Sequence, residues 1–592
     1  MLPFEDSRRL TGSNLFFAAP GAVLDVVGAA LDDALLAAWA TRIERAAARL
    51  GWHATQAVAR PHAGGVQLAI SAPEDQLYLA TEVNEWALCA ALEERDPAAW
   101  SHVEAALAAA APDASIAPVI EETAALARFG QLQQTESAPA LQALLARARE
   151  QSLPYAVDDT EVTLGAGSAG RSYMLAALPY LHAVPWTQLH AIPTAIVTGS
   201  NGKTTTVRLL AACARAHGWH TGYNCTDGVY LDDEALASGD YSGPAGARLV
   251  MRERRAQAAI LETARGGILR RGIAVSRADT AVVTNISSDH FGEYGIDDLA
   301  GLADVKLSVA GVIGPDGLLV LNADDPMLLR GSQMLTQRFG RRPPLGWFAL
   351  DAEQPLLREH RLGGGSTCGA HGECLLLHHR GENHDLGRIT AMPLSIGGVA
   401  AYNIANLAAA ALAASALGIG AAAIAEVFAR FGRDVHDNPG RMMRFEIDGA
   451  QVLIDYAHNP DGLRGFLTVA ERLRDGNGRL GVLLGHAGNR KDEDIEALAR
   501  TAADFRPDLI VVKENDSQLR GRAPGEVPGI IRRELLRLGF PDAALPVRDT
   551  ELDAARYALH WARPGDVLAL PLHGATARAA VVALLENRAY HQ

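Results

Sequence analysis

Thr198-Gly199-Ser200-Asn201-Gly202-Lys203-Thr204-Thr205 is the stretch on which the fold turns. It follows a short apolar run, Ala195-Ile196-Val197, and leads into residues 204–217, which read as a helix. A strand, a glycine-rich turn and a helix in that order make a phosphate-binding loop. Gly199 and Gly202 let the backbone point its N–H groups inward, with Ser200, Asn201 and Thr205 in the same cradle. The helix N-terminus adds positive potential. Lys203 would reach the terminal phosphates of a nucleotide, and the Thr204 hydroxyl would hold Mg²⁺. The loop departs from the standard pattern, because Val197 stands where its first glycine would be. The plainer alternative is an ordinary glycine-rich strand-to-helix turn.

Outward from the loop, strand-like runs alternate with helical ones. Residues 258–261, 280–284 and 318–321 are strand candidates, and such alternation implies a parallel sheet covered on both faces. Residues 337–393 break the rhythm; rich in Gly and His, they are expected to form inserted hairpins. Cys368 and Cys374, with His371 between them, do not have the spacing of a structural zinc site. Residues 407–425 are long enough to cross a bilayer but mostly alanine, and read as two soluble helices meeting at Leu417-Gly418-Ile419-Gly420. A second alternating block starts near Pro439, with strands expected at 452–455, 480–484, 509–512 and 567–570. Before residue 185 the chain differs: Ala-rich stretches at 24–50, 76–107 and 120–152 read as helices, with a strand-like piece at 65–70.

The chain has 592 residues, which at roughly 150 per domain suggests three or four domains. Apolar residues make up 48% and charged residues 21%, an ordinary globular balance that excludes disordered or collagen-like classes. The net charge of −15 argues against nucleic-acid binding. Five cysteines make no disulfide framework, and Met1-Leu2-Pro3-Phe4-Glu5-Asp6 lacks the basic start of a signal peptide, so a cytoplasmic protein without a membrane span is expected.

Further motifs follow in order. They are Glu262-Thr263-Ala264-Arg265-Gly266-Gly267-Ile268-Leu269-Arg270, Thr284-Asn285-Ile286-Ser287-Ser288-Asp289-His290 and Leu321-Asn322-Ala323-Asp324-Asp325-Pro326. Then come Tyr402-Asn403-Ile404-Ala405-Asn406, Pro439-Gly440-Arg441 and Asp455-Tyr456-Ala457-His458-Asn459-Pro460. With the shortened loop, this series resembles the Mur ligases and folylpolyglutamate synthetases. Thr226-Asp227-Gly228-Val229-Tyr230 and Gly488-Asn489-Arg490-Lys491-Asp492 draw the resemblance closest to the Mur-ligase-like part of the cyanophycin synthetases.

The resemblance covers about residues 190–592. It implies an α/β protein with a Mur-ligase-like central phosphate-loop domain at 186–438 and a Rossmann-like C-terminal domain at 439–592. An α+β N-terminal domain at 1–185 precedes them. It also implies ATP-dependent amide formation through an acyl phosphate, with Mg²⁺. Lys203 would stabilise the phosphates, and Thr204 and Glu262 would hold a first Mg²⁺. His290, at the end of an expected strand, would help hold a second. Lys306 would be carbamylated and support that metal, or else be a plain surface lysine.

Asn403 or Asn406 would read adenine; Arg441 and Asp455 match positions near the nucleotide, with Asp455 a ribose partner. His458 and Asn459 would shape their loop. Arg490, and further Arg265, Arg520 and Arg522, are candidates for substrate carboxylates, since guanidinium forks suit them; salt bridges are the alternative. An ATP-grasp domain has no room between residue 171 and the phosphate loop. A separate ATP-grasp ligase is therefore a candidate partner, with the N-terminal part serving substrate docking or contacts in a homo-oligomer. The expected substrates are an amino acid or other amine and the carboxylate of an aspartate-containing peptide. The competing readings are a folylpolyglutamate-synthetase-like ligase and a non-catalytic nucleotide-binding subunit.

Overall fold

The buried apolar runs around the phosphate loop all become strands. In the computed structural model, which describes residues 4–589 apart from 29–30, 99, 101–119, 289–290, 475 and 516–517, they form one sheet of eleven strands. Its core is parallel, in the order Thr221–Cys225, Ala258–Glu262, Thr194–Thr198, Ala278–Val283, Ile313–Asn322, Leu345–Asp351 and Ser366–His371. Helices cover both faces, as such a sheet requires. Lys203–Ala216 and Ala401–Ala416 pack on one side with Leu209, Leu210, Leu407 and Leu412 fully buried. The alanines of the second helix let it lie close to the sheet. It ends before Gly418, and a second helix, Ala421–Phe428, follows.

Residues 337–393 hold more than hairpins. Leu345–Asp351 and Ser366–His371 continue the parallel sheet around a helix, Pro355–Leu362, and only Cys374–His379 and Glu382–Arg388 are antiparallel. The helix hid behind the Gly363-Gly364-Gly365 run that ends it. Cys368 is buried on one strand of this hairpin and Cys374 starts the next.

A second, six-stranded sheet carries the C-terminal unit. Ala450–Asp455, Val567–Pro571, Leu480–Leu484, Leu509–Lys513 and Val547–Arg548 run parallel, with Met443–Ile447 antiparallel at one edge.

The N-terminal part is a four-stranded antiparallel sheet in the order Asp6–Leu10, Gly21–Val27, Gly65–Ser71, Ala57–His62. Helices Asp33–Leu50, Leu77–Arg95 and Glu122–Glu136 build a core with it. The 24–50 stretch is therefore not helical throughout, because the run Gly21–Val27 pairs as a strand before Asp32 caps the helix. The stretch at 120–152 splits at Ser137 into two helices, the second starting with Pro139. Residues 101–107 of the expected helix 76–107 lie outside the described residues. Tyr155–Val157, Glu161–Leu164 and Arg171–Met174 form a small separate sheet. Among the described residues no helix is long and apolar enough to cross a membrane.

Candidate functional site

Open parallel sheets present their loops, and hence their ligands, at the carboxyl ends of the strands. Here two such edges face each other across a cleft of 1720 Å³. Thr198 and Glu262 end strands of the central sheet; Asp455 and Lys513 end strands of the C-terminal sheet.

On the central side, Gly199 (φ +146°) and Gly202 (φ +84°) shape the loop. A Cβ on Gly199 would lie 1.8 Å from the Thr284 hydroxyl, and one on Gly202 would lie 2.3 Å from Asn406 Oδ1. Both positions therefore need glycine for backbone angle and for space. The loop is pinned from below: Asn201 N donates to Asn285 Oδ1 (2.9 Å), and Thr284 Oγ1 to Asn201 O (2.6 Å). Lys203 Nζ donates to the Gly199 and Ser200 carbonyls, each at 3.1 Å, which holds the ammonium at the mouth of the loop.

Glu262 is fully buried and accepts hydrogen bonds from Thr204 Oγ1 at 2.8 Å and Thr226 Oγ1 at 3.2 Å. Burial pushes its carboxyl above the ordinary range, against the pull of the Lys203 ammonium and the Thr204 hydroxyl. A buried carboxylate beside a hydroxyl, both open to the cleft, is a hard-oxygen pair of the kind Mg²⁺ takes with substrate phosphates. These residues fit that ion.

Lys306 is not a surface lysine. It ends the helix Leu299–Lys306, is 3% exposed and lines the cleft. His290 lies outside the described residues. Asn406 lines the cleft, but Asn403 stands behind it: its Oδ1 accepts from Asn406 Nδ2 at 3.2 Å, and its Nδ2 donates to Leu394 O at 3.0 Å. The helix Ala401–Ala416 sets the two a turn apart, so one faces the loop and the other orients it.

From the C-terminal side come Arg441, Asp455 and Arg490. Asp455 accepts from Met442 N and Ala457 N, both at 2.8 Å. Burial raises its carboxyl, and the Arg441 guanidinium opposes that rise. Arg441 lies over the Tyr456 ring, 4.2 Å from its centroid, and donates to Thr204 Oγ1 at 3.5 Å. Arg490 is 9% exposed in the cleft wall, which Arg520 also lines. Arg265 also lines the cleft and is ion-paired with Glu293. Arg522 is engaged by Asp492 and Glu526 instead, a salt-bridge residue outside the cleft lining.

Sequence reasoning missed what joins the halves. Asn201 and Asn459 exchange two carboxamide hydrogen bonds of 3.2 and 3.0 Å, so the phosphate loop is tied to the C-terminal unit. Asn459 also caps the helix Pro460–Leu473, the role its Asn-Pro signature announces. Asn438 Nδ2 donates to Thr205 Oγ1 (3.1 Å), and Arg578 Nη2 to Asp227 Oδ1 (2.8 Å).

Beneath the C-terminal edge, the buried Lys513 ammonium pairs with Glu551 and reaches His573 Nδ1 at 3.5 Å. An ammonium only donates, so Nδ1 accepts and Nε2–H donates to Ala457 O at 3.2 Å. Burial and the Lys513 charge keep His573 neutral, and against its own burial Glu551 is held well below the usual range by the Lys513 ammonium and the His573 backbone N–H. No sequence pattern could assemble residues 513, 551 and 573.

The Mur ligase middle domain family matches residues 197–414, and the family described as Mur ligase, glutamate ligase domain matches residues 440–570. The chain is 35% identical over 368 residues to a cyanophycin synthetase of Synechocystis sp., an alignment covering 62% of this chain and 41% of that one. It thus spans about two fifths of the length of such relatives. It is 33% identical over 391 residues to the UDP-N-acetylmuramoyl-L-alanyl-D-glutamate--2,6-diaminopimelate ligase of Xanthomonas campestris pv. campestris, covering 63% of this chain and 70% of that one. A structure of E. coli FolC with ADP matches at 18% identity and a TM-score of 0.48, over 67% of this chain and 90% of that one.

Proposed function

The chain belongs to the Mur ligase family, and from that premise we propose that it is an ATP-dependent ligase joining an amine to a carboxylate as an amide. The observation that carries this reading is the single cleft in which Lys203, Thr204 and Glu262 face Arg441, Asp455 and Arg490. ATP lies with its phosphates on the amides of residues 199–205. Asn406 reads the adenine, with Asn403 orienting it. Asp455 holds the ribose, and Arg441 lies near the phosphates.

A substrate carboxylate oxygen attacks the γ-phosphorus, and ADP leaves. The amine nitrogen then attacks the acyl carbon of the acyl phosphate, inorganic phosphate leaves, and the nitrogen loses a proton. Both steps bring anions together, so the cations and backbone dipoles of the cleft must offset their repulsion. Lys203 does so at the β- and γ-phosphates. Mg²⁺, held by Thr204 and Glu262, supplies further neutralising charge on the phosphate oxygens when bound, and Lys306 supports the acyl-phosphate end of the cleft. Arg490 and Arg265 hold substrate carboxylates.

The acyl substrate is an aspartate-containing peptide and the amine an amino acid; a separate ATP-grasp ligase would make such a peptide. The test is mass spectrometry of products after incubation with ATP, Mg²⁺, an aspartate-containing peptide and a pool of amino acids. The expected result is a mass gain of one amino acid less water, lost in Lys203→Ala. Tight ATP binding without turnover under every combination would overturn the reading in favour of a nucleotide-binding subunit.

A further inference from the structure

Residues 291–297 carry Glu293 and Tyr294 into the cleft. Gly292 N donates to Ile296 O at 2.9 Å, and Glu293 bridges Ile296, which makes Tyr294 and Gly295 the two central residues of a tight reversal. Both have positive φ, +53° and +62°. Such turns favour Asn, Asp or Gly at the first of these places, and an aromatic residue held left-handed is strained, because its Cβ crowds the following carbonyl oxygen. The turn needs an outside restraint to keep its shape.

The N-terminal sheet supplies it. Asp6, Asp25, Gln67 and Arg60 are register partners on its four adjacent strands, so their side chains form one polar row on one face. From that row, the fully buried Gln67 donates through Nε2 to Tyr294 O at 2.9 Å, and Arg60 Nη1 donates to Gly295 O at 2.8 Å. The backbone N–H of Ala63 donates to the Asp297 carboxylate at 2.7 Å. Arg8, held by Asp6 and Asp25, lies over the Tyr294 ring at 4.8 Å from its centroid. Two of these bonds go to backbone carbonyls, so they fix the path of the turn itself. What the turn presents is Glu293, which pairs with Arg265 of the central unit and accepts from Asn489 Nδ2 of the C-terminal unit at 3.5 Å.

We propose that the N-terminal sheet, which lies outside both matched families, is a positioning element of the ligase site. Gln67, Arg60 and Arg8 hold the 293–296 turn left-handed, so that Glu293 sets the Arg265 guanidinium for the substrate carboxylate. This rests on the ligase reading above. These three are positioning residues acting through the turn. Residues 199–205, Asn406, Arg441 and Asp455 stand on other elements, so loosening the turn slows the chemical steps and leaves nucleotide binding alone.

The test uses the full chain with Gln67→Leu and Arg60→Met together, and Arg60→Met alone in case the pair disturbs folding. Hydrogen exchange of the peptide covering 291–297 is read first; losing the two side-chain hydrogen bonds is expected to speed it by roughly tenfold or more. The ligation kcat is expected to fall about tenfold, with the KM for ATP within about twofold. Adding Tyr294→Asn, which tolerates the left-handed conformation unaided, is expected to restore kcat to within about threefold of the parent. A rescue of that kind would not follow if the contacts merely added stability. Unchanged exchange at 291–297, a loosened turn with unchanged kcat, or parallel losses in kcat and ATP affinity would each overturn the proposal. If the unaltered protein ligates nothing, the ligase reading fails. The exchange measurement then still reports whether the sheet holds the turn.

Discussion

Thr198 and Glu262 close neighbouring strands on one side of the cleft, and Asp455 and Lys513 close strands on the other. The central edge is built of backbone: a loop of two obligate glycines, a helix start, and one buried carboxylate. The C-terminal edge presents side chains stiffened from beneath, where Lys513, Glu551 and His573 hold the loop that bears Asp455 and Asn459 through Ala457. Backbone cradles are encoded in a few consecutive residues. Buried ionic clusters are encoded by topology, and their worth lies in position rather than in net stability, since desolvation offsets much of the attraction.

This contrast can be broken by substitution. On the central edge, Glu262→Gln keeps the shape and removes the charge; amide formation is expected to fall about 10³-fold, measured as ADP release coupled to product, with thermal stability little changed. On the other edge, Lys513→Met should do the reverse. An unpaired buried Glu551 costs about 3–5 kcal/mol, read as an early unfolding transition, and Lys513→Met with Glu551→Gln together should recover much of it. Equal activity losses with no stability loss in Lys513→Met would end the distinction.

Much of the central edge was legible from residues 198–205, because strand, turn and helix are contiguous there. So were the parallel sheets, from alternating apolar runs. The pairing of Asn201 with Asn459 was not legible, since 258 positions separate them and only the closing of two units brings them together. Asn403 and Asn406 looked alike in sequence; they share one face of the helix, and position along its axis decides which one reaches the loop. The strand Gly21–Val27 was hidden by the Ala-rich helix behind it. The polar row of Asp6, Asp25, Gln67 and Arg60 gave no signal, because cross-strand register cannot be read along a chain.

Smaller effects are expected where the two edges touch and beneath them. Asn459→Ala removes two bonds across the cleft and a helix cap; kcat/KM is expected to fall about tenfold and stability by about 1 kcal/mol, by steady-state kinetics and denaturant titration. The mildest effect is acid sensitivity. Folding holds His573 neutral, so below the ordinary imidazole value of 6.5 the unfolded chain binds a proton that the folded chain does not. Stability therefore falls as pH falls, by about 1 kcal/mol per unit just below pH 6. Glu551, also depressed, adds to the loss only below the ordinary glutamate range. His573→Asn should flatten the first part of the curve when denaturant midpoints are compared at pH 7 and pH 5.

The ion pair between Arg578 and Asp227 spans 351 positions. Synthesis runs from the amino end, and domains tend to fold as they emerge. The glycine cradle is thus translated long before the helix Ala575–Ala589, whose Arg578 ties the C-terminal unit to Asp227. Until the C-terminal unit emerges, a nascent chain owns the floor of the chamber without the roof.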